Sequence, residues 1–200
     1  MRESIHYRPI LNQFLVHNMK VIGICGLARC GKDSLFLMCR DRLKEMGLNS
    51  VRFAFADSLK EECNEILEKY VGISAFTEIT SEKEVIRPLL VTYGTHVRRK
   101  LNPNCWIDKI QNKVTDNIKD KNIVFVTDVR FENEIDWIHS MGGESIHITR
   151  GGIVAPNEEE SKNDPILRAK SSHQVKWNDF HEESEEYISN IVDTVLQSIS

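Results

Sequence analysis

The chain has 200 residues, 40% of them hydrophobic, with 26 basic and 30 acidic side chains and a net charge of −4. That composition supports one packed core and excludes a protein that holds nucleic acid or an anionic membrane surface by bulk positive charge. Five cysteines (Cys25, Cys30, Cys39, Cys63, Cys105) form no C-x-x-C pair and read as reduced thiols of a cytoplasmic protein, and no apolar run approaches bilayer-spanning length.

Residues 1–18 form an extension with a short apolar patch but no signal-peptide pattern; residues 19–200 read as the domain proper. A first strand over about 20–25 meets Gly26, and Gly26, Gly31 and Lys32 fit the spacing Gly-x-x-x-x-Gly-Lys of a phosphate-binding loop. Glycines let such a loop turn tightly and aim its N–H groups at phosphate oxygens, the following helix points its N-terminus at the same anion, and Lys32 adds a mobile charge. The usual Ser or Thr after the lysine is replaced by Asp33, with Ser34 next. A carboxylate there binds magnesium directly, through water, or not at all.

A helix runs from Lys32 to about Met46, with Leu35, Met38, Cys39, Leu43 and Met46 in helical period and Gly47 ending it. Val51–Phe55 is a short strand. Ser58 with Glu61 marks a helix start whose end is Gly72, and Ser81 with Glu84 repeats the signal. Pro88 and Gly94 interrupt that second helix, at a ligand-bearing bend or a plain corner. Asn102-Pro103 opens a further helix with Trp106, Ile107, Ile110, Val114 and Ile118 inward. Asn122–Thr127 is a buried strand ending at Asp128, followed by a helix (Ile135, Ile138, Met141 inward) closed by Gly142-Gly143, and Glu144–Thr149 is the fourth strand. Residues 150–172 carry glycines, a proline and the acidic run Glu158–Glu160 without periodicity, and read as a mobile loop or lid. A short strand near 174–177 and an amphipathic helix (Ile188, Ile191, Val192, Val195, Leu196, Ile199) end the chain.

Alternating strands and helices predict an α/β fold, a P-loop NTPase of three α/β/α layers with a mostly parallel five-stranded sheet. Ligands of such sheets sit at the carboxyl ends of strands, where Gly26, Asp57 and Asp128 are expected to converge. Phosphoryl transfer needs positioning and positive charge more than covalent chemistry. Asp128 is placed to hold magnesium or its water, or to cap the next turn. Asp57 accepts a hydrogen bond from substrate or from backbone. Arg87, Arg98, Arg99, Arg130 and Arg150 stand near element ends as phosphate clamps or surface charges, Arg29 lies in the loop, and Arg168 and Lys170 lie in the lid. His96, His173 and His181 lack metal spacing; Trp106, Trp137 and Trp177 read as core; His147 alternates with Ile146 and Ile148 and faces the other side of the sheet.

Four blocks in order, GLARCGKDS, FADSLK, RPLLVTYGTHVRRKLNPNCWID and TDVRFENEIDWIHSMGGESIHITR, resemble the deoxynucleoside monophosphate kinases of tailed bacteriophages and their relatives over roughly residues 20–150. The resemblance accounts for Asp33 and Ser34, since that family's loop reads GKD[ST]. It implies an ATP- and magnesium-dependent transfer to a nucleoside monophosphate in the host cytoplasm. It places Gly26, Ala28, Arg29, Cys30, Gly31, Lys32, Asp33 and Ser34 on the donor, with Asp33, Ser34 and Asp128 toward the metal. It places Asp57, Lys60, Arg87, Arg99, Trp106, Asp128 and Arg130 on the acceptor, Trp106 as its wall or as core beneath, and gives Lys32, Asp57, Arg130 and Arg150 to catalysis. A homodimer is one open assembly. The alternatives are a kinase of hydroxymethylated pyrimidine in DNA, a phosphomevalonate-type kinase and a nucleotide switch without turnover.

Overall fold

Strands β1 (Val21–Cys25), β2 (Ser50–Phe53), β3 (Ile123–Val129), β4 (Glu144–Arg150) and β5 (His173–Trp177) form one sheet in the order β2-β3-β1-β4-β5. Every neighbouring pair is parallel. The structure, a computed structural model, describes residues 21–177 and 185–198, so the amino-terminal extension, His181, Ile199 and the side chain of Ile188 lie outside the described residues. Two compact units are present: a sheet unit, comprising residues up to Phe53 and from Lys113 onward, and a helical unit, Ala54–Asn112.

In the sheet unit, β1 is buried along its whole length and β3 over its first five residues, as strands covered on both faces must be. Their alternate residues divide between two layers. Ile22, Ile24, Ile123, Phe125, Ile146, Ile148, Val175 and Trp177 face helix α1 (Lys32–Glu45) and the last helix, α7 (Glu185–Ser198), which contribute Leu35, Phe36, Cys39, Leu43, Val192, Val195 and Leu196. Phe36 meets Phe125 edge to face with ring centroids 5.4 Å apart. Removing such a buried phenyl ring costs about 3–5 kcal/mol. On the opposite face lies α5 (Glu132–Ser140): a Cβ added to Gly23 would stand 3.2 Å from both Ile138 Cγ1 and Val129 Cγ2. Arg42 forks onto Asp193 at 2.8 and 3.2 Å, joining α1 to α7. Both partners are about a third exposed, so the pair adds no more than about 1 kcal/mol.

The helical unit holds α2 (Phe55–Val71), α3 (Thr80–Val91), a π-helix (Thr92–Arg99) and the first half of α4 (Cys105–Lys119). Cys63, Leu67, Ala75 and Ile86 form its core, with Leu59, Ile73, Leu90 and Tyr93 against it. Pro88 and Gly94 do not break the chain here. The α3 helix runs directly into the wider π turns, and Gly94 is buried where a Cβ would come within 2.8 Å of Leu59 Cδ2. The Trp106 indole N–H donates to the Gly94 carbonyl at 3.4 Å.

Other expectations are corrected. Helix α2 starts three residues before Ser58, with Ala54 at its N-cap, because Ala54 and Phe55 are both buried and β2 already ends at Phe53. The N-cap of α3 is Ile79 rather than Ser81, its first turn fixed by Thr77, which bonds Glu82 and the Ile79 N–H. Strand β3 extends through Asp128 to Val129. Trp137, Ile118 and Met141 are half-buried rather than core. Residues 150–172 are not a structureless loop: they contain helix α6 (Glu158–Lys170), capped where the Asn157 side chain accepts the Glu160 N–H at 2.8 Å.

Candidate functional site

The loop from Gly26 to Gly31 leaves the carboxyl end of β1, between the ends of β3 and β4. Gly26 has φ 129°, and a Cβ there would collide with the Ile148 backbone carbonyl and stand 2.9 Å from Cys30 Sγ. Only glycine lets the chain turn this close to β4. Lys32, buried, curls back to donate from Nζ to the Gly26 and Leu27 carbonyls, both at 2.8 Å. The buried Trp177 indole N–H donates to the Cys30 carbonyl at 2.8 Å, fixing the loop from β5. Helix α1 begins at Lys32 with no side chain capping it, so its first N–H groups are left for an anion. Burial disfavours the thiolate form of the thiols nearby: it pushes Cys25 up to about 12, outweighing its contacts with Ser171 and Lys32, and raises Cys30 as well.

One anion already sits on this loop. Glu160 Oε2 accepts the Ala28 N–H at 2.9 Å, and Glu160 Oε1 pairs with the Arg130 guanidinium at 2.5 Å. Loop amide and Arg130 therefore converge on a single carboxylate, with the geometry a phosphate oxygen pair would use. Arg130 is positioned from behind. The fully buried Glu134 accepts the Arg130 and Phe131 backbone N–H groups at 2.7 and 3.0 Å and caps α5.

Three more side chains dock α6. His147 Nε2 meets Asp164 at 2.9 Å, Arg168 donates to Thr149 Oγ1 at 2.9 Å, and Lys170 reaches Glu132 and Asp136 at 3.0 and 2.5 Å. His147 lies on the face of β4 that alternation with Ile146 and Ile148 predicts, and it is almost fully buried. Burial holds it below the ordinary histidine range, outweighing the opposing pull of the Asp164 carboxylate.

The remaining expected residues divide between the two units. In the sheet unit, Asp128 and Arg150 are half-buried at the carboxyl ends of β3 and β4, and Ser34 is half-buried beside the loop. Arg29 is exposed, and exposed Asp33 meets Arg52 at 3.4 Å. Among the described residues no three His, Cys, Asp or Glu side chains gather as a metal cluster.

In the helical unit, Asp57 is half-buried in the first turn of α2, Lys60 lies over the Phe76 ring at 5.5 Å, Arg87 is exposed on α3, and Arg99 donates to the Pro103 carbonyl at 3.4 Å. Trp106 is core, with Arg98 over its ring at 5.6 Å. Arg98, Lys109 and the Tyr93 hydroxyl converge on Glu62 at 3.1, 2.9 and 2.9 Å. Partial burial would raise the Glu62 carboxyl, but these three groups outweigh it and hold it below the usual range.

Sequence reasoning missed Glu160, Glu134, the His147–Asp164 pair and the Glu62 cluster. One signal was available for Glu160: Asn157 with a glutamate three residues on is a helix-start spacing.

Among curated proteins, a protein of Acanthamoeba polyphaga mimivirus, named provisionally as a deoxynucleotide monophosphate kinase, is 28% identical over 194 residues, covering 88% of this chain and 96% of that relative. Among solved structures, the Thermus thermophilus protein TT1252 matches at 12% identity and a TM-score of 0.49, covering 90% of this chain and 98% of that one. A shikimate kinase of Bacteroides thetaiotaomicron matches at 13% identity and a TM-score of 0.41, covering 89% and 97%. No helix among the described residues is long and apolar enough to cross a membrane. A family model described as phosphomevalonate kinase matches residues 24–144, from within β1 through the loop to the start of β4. With a phosphate loop, a lysine inside it and an arginine trained on the same anion, this chain is a phosphotransferase with a P-loop fold and belongs to the phosphomevalonate kinase family.

Proposed function

We propose that the chain transfers the γ-phosphoryl group of ATP to the phosphate of a deoxynucleoside monophosphate, giving the diphosphate and ADP. The observation that carries this reading is the convergence of the Ala28 amide and Arg130 on one carboxylate, at the loop whose carbonyls hold Lys32. Those groups bind oxyanions, and a loop that already accepts a carboxylate fits a polyphosphate. ATP with magnesium supplies the transferable group. Residues 26–31, Lys32 and Ser34 would hold it, with Asp33 and Asp128 toward the metal.

The chain's own contribution is electrostatic and positional. Lys32, whose Nζ donates to the Gly26 and Leu27 carbonyls, would turn to the donor phosphates when they bind, and Arg130 would stabilise charge on the transferred group. Arg150 adds a second cation at the end of β4. Asp57, Lys60, Arg87 and Arg99 would recruit the acceptor, with Trp106 buried in the same unit. An acceptor phosphate is already a nucleophile at neutral pH: one of its oxygens bonds the γ-phosphorus as the β–γ bridging bond breaks. No general base is needed.

The family match favours a second reading, in which mevalonate phosphate is the acceptor. The chemistry is the same, since both acceptors are phosphate monoesters converted to diphosphates. The relative's name, spanning nearly its whole length, supports the nucleotide. A coupled ADP-release assay with ATP and magnesium decides. It is run against each deoxy- and ribonucleoside monophosphate, mevalonate phosphate and DNA containing hydroxymethyluracil. Turnover with one or a few nucleotides is expected. Turnover with mevalonate phosphate or the DNA alone replaces the substrate, and tight ATP binding without turnover on any acceptor replaces the kinase with a switch.

A further inference from the structure

Glu160 does not use its carboxylate as its own helix would direct. At the third residue of α6, with Asn157 as N-cap, a glutamate ordinarily turns back to the N-cap backbone N–H. Here both oxygens go elsewhere, one to the Ala28 N–H in the phosphate loop and one to Arg130, which are groups the donor phosphates would need. The side chain is largely shielded, 11% exposed, and the two partners lie 132 and 30 residues away in the sequence. Its neighbour Glu158 projects into solvent at 92% exposure, so the contact belongs to one side chain and not to an acidic run.

We infer that Glu160 is an internal competitor for the phosphate loop, a carboxylate that occupies the oxyanion positions until a polyphosphate displaces it. This rests on the reading of residues 26–32 as the donor phosphate site. Because Glu160 and a phosphate need the same N–H and the same guanidinium, every phosphate-bearing ligand that reaches the loop loses affinity by the free energy of that contact. Weakly charged anions then fail to hold the loop. Displacement releases Glu160 alone, since α6 keeps the Asp164–His147, Arg168–Thr149 and Lys170 contacts. Those contacts also keep variants at this position folded.

The test is the affinity of the full-length protein for ADP and for inorganic pyrophosphate, measured calorimetrically on the wild type, Glu160→Gln, Glu160→Ala and Glu158→Gln. Loss of the Glu160 contacts with the Ala28 N–H and with the part-exposed Arg130 predicts that Glu160→Ala binds both probes roughly tenfold more tightly, with Glu160→Gln between and Glu158→Gln unchanged. A saturating dose of ADP should raise the melting temperature more for Glu160→Ala than for the wild type. Wild-type binding with equal or weaker affinity in both Glu160 variants overturns the competitor and leaves the kinase reading standing. An equal gain in Glu158→Gln also overturns it, because the effect would then be general charge. No binding of either probe to any variant overturns the competitor and the donor site together.

Discussion

Replacing Gly26 with alanine separates two costs that a phosphate loop imposes on one residue. The first is backbone: φ 129° is a conformation that side-chain-bearing residues rarely adopt, worth about 1–2 kcal/mol. The second is space: the new Cβ would overlap the Ile148 carbonyl and approach Cys30 Sγ, so β4 or the loop must shift, at a further ~1–3 kcal/mol. Gly72 is the control, since it has φ 74° at the end of α2 but nothing within 4 Å of its Cβ. Gly72→Ala should therefore carry the first cost alone. For a chain of this size each kcal/mol moves the melting temperature by about 2–4 °C. Gly26→Ala should melt roughly 4–20 °C below the wild type and Gly72→Ala roughly 2–8 °C below it. Calorimetric melting of the three proteins reads this directly, and ADP binding should weaken in Gly26→Ala only. Melting of the two variants within about 2 °C of each other would refute the steric part of the argument.

Lys32→Ala should lower the rate of phosphoryl transfer by two or more orders of magnitude while circular dichroism stays native, and unchanged turnover would remove the loop from the mechanism. Trp177→Phe leaves the buried Cys30 carbonyl without its 2.8 Å donor and should cost about 1–3 kcal/mol in urea unfolding; an unchanged midpoint would mean water replaces the indole. His147 is held neutral below the ordinary histidine range. In the window below the unfolded value of about 6.5 the unfolded chain binds the extra proton, so stability falls as pH drops through that window. His147→Asn should flatten that part of the stability-versus-pH curve, and equal slopes in the two proteins would show that His147 titrates freely when folded.

The β1–loop–α1 unit was legible because each local cue agreed: an apolar run, Gly26, Gly31, Lys32, and a helical period from Leu35 to Leu43. Strand β3 was legible for the same reason. Helix α6 was not, because Leu167 is its one buried residue, and hydrophobic periodicity cannot register a helix that docks through Glu160, Asp164, Arg168 and Lys170. Two capping signals misled at Ser58 and Ser81 because tertiary burial of Ala54 and Phe55, and the Thr77 turn, set the helix starts instead. The loop residues were individually nameable, but their distances to Glu160, Ile148 and Trp177 span more than a hundred residues of chain and are properties of the sheet order alone.

That sheet order also fixes how α6 can travel. Its two tethers, after Arg150 and before His173, are the ends of β4 and β5, hydrogen-bonded neighbours in one sheet. Because the two strands run parallel, with Arg150 opposite Trp177 and His173 opposite Ile146, the chain leaves β4 at one edge of the sheet and enters β5 toward the other. Seven residues, 151–157, join β4 to the start of α6, and two, Ser171 and Ser172, join its end to β5. The turn that carries Glu160 therefore hangs on the longer tether, and the turn that carries Lys170 on the shorter one.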